Sequence, residues 1–234
     1  MSLVRAKGSE DPAESRLLLA LAEELKLPLL HISHQTELYQ QQHGIELTNI
    51  QASARHALLL LDNYVLVQRL RQQALVLEPV SVSSVLYDVA HALTPLAKQY
   101  DCSIQLIIEG KYGPVMSNKP ALYSAMTSIG TSLIAASQQP KGKIVLAAHR
   151  TNGDIAAGAF SSVNGLGDRV LRQGRALYGR ARQPLQSFTA HPAAGIFIAD
   201  EILALLGSEL RTAQHNNQKG LAALLTPSRQ LALV

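Results

Sequence analysis

Between Glu23 and Glu37 the chain sets out side chains able to do acid, base or nucleophilic work: Glu23, Glu24, Lys26, His31, His34 and Glu37, with Pro28 among them. A helical imidazole with a carboxylate one turn on can exchange a proton or take up a phosphoryl group, and His34 with Glu37 has that spacing. His56, His91, His149, His191 and His215 show no metal-ligand spacing, so no metal site is expected. There is no Gly-x-Ser-x-Gly elbow to assemble a hydrolase triad.

These residues must be positioned by two kinds of structure. Leu17, Leu18, Leu21, Leu25, Leu29 and Ile32 recur at helical spacing, as do Leu47, Ile50, Ala54, Ala57, Leu58, Leu61, Val65 and Leu70 in the stretch Ile45 to Leu77. The two helices meet at His43-Gly44 as a hairpin over residues 16–77, after a disordered lead-in at 1–15. Pro28 is expected to kink the first helix, because proline removes a backbone hydrogen bond and crowds the preceding turn. The apolar stripe exceeds what one partner helix covers, which predicts a homodimer with a four-helix bundle.

Residues 78–234 alternate. An extended linker, Glu78 to Val82, leads to a helix over Ser83–Tyr100 that contains Pro95. Strand-like Ser103–Ile108 and Pro114–Met116 follow, then a helix over Ala121–Ser137 introduced by Asn118 as cap and Pro120 in its first turn. Lys143–His149 and Ile155–Ser162 read as a hairpin turning at Thr151 to Asp154. After a Gly- and Arg-containing segment, Asn164 to Thr189, come a helix over Ala193–Leu206 stopped by Gly207 and a closing hairpin around Asn216-Asn217. This order predicts an α+β chain: the hairpin, then an α/β sandwich with one mostly antiparallel sheet backed by helices.

With 47% hydrophobic residues in 234, the chain can bury a sizeable, aliphatic core. A single cysteine, Cys102, excludes an internal disulfide and cysteine zinc clusters. No apolar run reaches membrane-spanning length and residues 1–15 are polar, so a cytoplasmic chain without membrane contact is expected. Net charge is only +4. Five arginines between Arg169 and Arg182 come without aromatic platforms or nucleic-acid motifs, and read as a solvated face.

Glu23-Glu24-Leu25-Lys26-Leu27-Pro28-Leu29 resembles the phosphoacceptor helix of two-component sensor histidine kinases, whose pattern is His-Glu-Leu-Arg/Lys-x-Pro-Leu. Glu23 stands where that family has its histidine. The Glu78–Val82 linker and the order of elements beyond it are likewise similar to the kinase ATP-binding domain of GHKL type. The resemblance implies an Asn-x-x-x-Asn helix for Mg²⁺ and phosphate, and alignment puts Ser128 and Ser132 at the two asparagines. It implies Asp-x-Gly-x-Gly against adenine, where Val163 replaces the aspartate and Gly165 and Gly167 remain. It implies Gly-x-Gly-Leu at the phosphates, where Ala193 replaces the first glycine and Gly195 remains. Each motif has lost its reacting or ligating residue, so ATP and Mg²⁺ binding is expected to be weak or absent.

The resemblance thus implies a degenerate kinase acting through contact with a response-regulator receiver domain or a partner histidine kinase. An alternative is a histidine phosphotransferase. On an ideal helix His34 is rotated by only about 20° from Glu23, and His31 by about 80°. A third possibility is a divergent active kinase.

Overall fold

A computed structural model describes residues 12–45, 47–72, 74–137, 142–161, 171 and 192–228. The chain divides into two compact units between Arg69 and Leu70.

The first unit is the hairpin. Helix α1 spans Pro12–His43 and α2 spans Thr48–Gln72. Proline is tolerated in a first turn, where its missing N–H has no partner to lose, so the helix starts at Pro12 and takes in part of the expected lead-in. Pro28 lies inside α1, which stays helical on both sides of it. Gly44 takes a positive φ of 66° after the last turn, the conformation that ends helices with least strain in glycine. Helix α2 stops earlier than the apolar pattern indicates, and Ala74–Leu77 are non-helical.

The second unit is built around one helix. Strand β1 (Glu78–Val80) pairs antiparallel with β3 (Val115–Ser117), so the stretch expected to be a linker is a strand. Helix α3 (Val82–Gln99) is capped by Ser81, whose side chain accepts from the Ser84 N–H. Helix α4 (Lys119–Ala136) is capped by Asn118 accepting from Ala121 N at 3.1 Å, with Pro120 in the first turn as its sequence requires. Helix α5 (Pro192–Leu205) ends at Gly207, φ 72°, where Ser208 N donates to Leu203 O at 2.8 Å.

The five-stranded sheet runs β2-β4-β5-β7-β6, from β2 (Cys102–Ile108), β4 (Gly142–Thr151), β5 (Asp154–Ser161), β6 (Glu209–His215) and β7 (Gln218–Leu225). Only β2 and β4 are parallel. The turns are local: Asn152 and Gly153 take φ of 47° and 93°, and Asn216 and Asn217 take 45° and 63°.

Helices α3, α4 and α5 lie against the sheet, and α4 packs on both α3 and α5. Helix α4 is buried almost all round, from Ala121 to Ile134. A Cβ on Gly130 would run into Leu93 of α3, and one on Gly195 of α5 would run into Ser132 Oγ. Since residues two apart sit about 200° round a helix, Gly130 and Ser132 mark nearly opposite flanks of α4. Val145, Ala147, Phe160 and Ala222 form a separate apolar cluster, joined by Ile107 and Ala213. It contains no helical residue, so it occupies the face away from the helices.

Candidate functional site

The hairpin carries the first group of candidate residues. Glu23 is tied down twice: Lys26 Nζ lies 3.0 Å from its Oε2 and Arg69 Nη2 lies 3.6 Å from its Oε1. Lys26 reaches in addition to Asp62 Oδ1 at 3.0 Å, so one network links α1 to α2. The hydrogen bond to Asp62, and after it that to Glu23, raises the Lys26 pKa and keeps the ammonium charged. Glu24 is exposed. Asp62 and Arg69 were not singled out in the sequence, although their seven-residue spacing puts them on one face of α2.

His31 and His34 are exposed on α1. The carboxylate expected to serve His34 is engaged elsewhere: Glu37 takes hydrogen bonds from Gln51 at 3.0 Å and from Arg55. Pro28 lines an apolar groove of about 480 Å³ with Leu25, Leu29, Ala57, Leu60 and Leu61. Leu25 of this groove is 52% exposed, and Leu27 of the same helix 73%.

The second group lies between α4 and α5. Ser132 is wholly buried and its Oγ has no partner among the described residues. Ser128 is buried beside it, and the Ser128 carbonyl lies 3.2 Å from where a Cβ on Gly195 would stand. The serines and Gly195 are thus brought together as a close helix–helix contact. Ser132 meets the backbone of α5, and a longer carboxamide there would have to displace it. Of Ala193 only the backbone is described, in the first turn of α5. Val163, Gly165, Gly167 and the Arg169–Arg182 segment, apart from Leu171, lie outside the described residues.

Among the described residues no helix is long and apolar enough to cross a membrane, and no group of three or more His, Cys, Asp or Glu is placed to hold a metal ion. A polar cluster not anticipated from sequence sits on the helix-free face of the sheet. The His149 and His215 rings stack at 5.5 Å, and His215 Nε2 is 3.6 Å from Glu109 Oε1. Spacings of sixty-odd positions gave no local signal for it.

No family model matches the chain, and no curated protein matches it either. Solved structures do. Full-length ShkA in complex with AMPPNP superposes on 92% of the chain with a TM-score of 0.57 at 16% identity. The histidine kinase AdeS of Acinetobacter baumannii does so over 85% with 0.52 at 12% identity. The cytoplasmic segment of histidine kinase QseC matches 76% with 0.50 at 11% identity. The chain spans 46% of ShkA and 94% of the AdeS and QseC chains. The fold is therefore that of sensor histidine kinases: a helical hairpin followed by a GHKL-type α/β domain.

Proposed function

We propose that the chain is a catalytically degenerate relative of the histidine kinases, a pseudokinase that works in two-component signalling by protein contact. The observation that carries this reading is Glu23. At the acceptor position there is no imidazole nitrogen to form a phosphoramidate, and the carboxylate is committed to Lys26 and Arg69. The Ser128 and Ser132 pair supports it, because buried hydroxyls, that of Ser132 packed against Gly195, are poor substitutes for side-chain carbonyls at a Mg²⁺ ion.

On this reading two copies join through the apolar face around Leu25, Pro28 and Leu61 into a four-helix bundle. The exposed stretch Glu23–Lys26 with His31 meets a receiver domain or a partner kinase in the cytoplasm. No ATP or Mg²⁺ is needed for such contact. The experiment is calorimetry with ATP and ADP in Mg²⁺, with the mass in solution measured alongside. A dimer without detectable binding is expected, and micromolar, Mg²⁺-dependent binding would overturn the reading in favour of a divergent active kinase.

The second reading, a histidine phosphotransferase, draws on the exposure of His31 and His34. It requires acid-labile phosphate from a phosphorylated partner that disappears in His31→Ala or His34→Ala. The commitment of Glu37 to Arg55 and Gln51 weighs against His34.

A further inference from the structure

The helix-free face of the sheet holds a trough of about 420 Å³, within the roughly 300–1,000 Å³ typical of small-molecule sites. Register explains why it is there. One row of paired residues reads Ala147, Gly158, Ala222, Arg211 across β4, β5, β7 and β6, and the next reads His149, Ala156, Leu224, Glu209. The middle of this face carries Gly158, Ala156 and Ala222, with Leu224 as its one branched side chain, so a low floor is left between taller edges. His149 and Thr151 form the β4 wall, Asn152 and Asp154 close the hairpin end, and Arg211 stands on the β6 side.

The charges of the rim decide what it takes. Arg211 Nη2 is 2.6 Å from Glu209 Oε2, and that pair neutralises itself. Glu109, nearby, is engaged by His215. Asp154 makes no side-chain hydrogen bond or ion pair among the described residues and is left as the uncompensated charge. The His149 Nδ1 is buried without a partner, and a half-turn of the ring would bring that nitrogen to its other edge. A carboxylate over a floor of Ala156, Ala222 and Leu224 suits a cation with a hydrocarbon body.

We infer that this trough is a binding site for a small aliphatic ammonium compound, its charged head on Asp154 and its chain along the alanine floor. The site is on the opposite side of the sheet from α4 and α5, so it stands whether or not those helices accept a nucleotide.

The test is amide NMR of the full chain titrated with n-butylammonium, with butyrate as the charge-reversed probe. Butylammonium at millimolar concentration is expected to shift the amides of Thr151, Asp154, Ala156, Ala213 and Ala222, and butyrate to leave them in place. Asp154→Asn, which keeps a residue suited to the turn, is expected to weaken binding roughly fivefold or more. Ala213→Leu, which fills the trough without touching charge, is expected to block it. No shifts with butylammonium, equal binding of butyrate, or binding unaffected by Asp154→Asn would each overturn the inference.

Discussion

Single residues decide whether the helices of the second unit can hold anything between them. The Ser132 hydroxyl is buried without a partner, so Ser132→Ala removes an unsatisfied group: stability should be unchanged or higher by up to about 1 kcal/mol in urea unfolding. Gly195→Ala puts a methyl into Ser132 and should cost about 1–3 kcal/mol in the same measurement. If the chain is the proposed degenerate relative, Glu23→His supplies an imidazole without asparagines at Ser128 and Ser132, so no acid-labile phosphate should be incorporated from ATP. Incorporation would refute the proposed loss of nucleotide binding. His56 supplies a pH dependence. Burial holds its imidazole below the ordinary 6.5, so the folded hairpin binds fewer protons than the unfolded chain. Stability is full above about that pH and is lost as pH falls from there through the folded value; His56→Leu should flatten this slope in thermal unfolding followed by circular dichroism. At this scale the sequence revealed residue types but not their partners. Glu23 read as the counterpart of a phosphoacceptor and not as half of an ion pair, because Arg69 and Asp62, which complete its network with Lys26, lie on the other helix.

Elements were legible where their signals are local. Asn118 and Pro120 mark the start of α4, Asn152-Gly153 the β4–β5 turn, and Gly207 the end of α5, each through the conformation or hydrogen bond that residue type supplies. What depends on distant pairing was not. Glu78–Val80 looked like a connector because of Pro79, and only Val115–Ser117 makes it a strand. The exposed apolar face of the hairpin is the element-scale prediction. Leu25→Glu places a charge in the groove beside Pro28 and Leu61, and should convert a dimer to a monomer by light scattering. A monomeric parent protein would refute the proposed bundle.

For the whole molecule, the hydrophobic periods and the order of strands and helices were enough to reach a helical hairpin followed by an α/β sandwich, because both follow from which faces must be buried; the kinase fold itself came from the resemblance of the Glu23–Leu29 run and the Glu78–Val82 linker. The trough beneath Asp154 was out of reach, since it arises from small residues on three strands that meet only after the sheet has formed. The packing of Gly195 onto Ser132 also bears on the history such a chain can have. On the proposed reading, replacing Ser132 with a larger, ligating residue would strain the helix contact before any ligand could offset that strain, and reacting or ligating groups would be needed at Glu23, Ser128 and Val163 as well. A first step toward phosphoryl chemistry taken at Ser132 would then be a step down in stability with no activity gained. Selection acting one substitution at a time would find that road closed, and a lineage that had tightened this joint would drift onward rather than return.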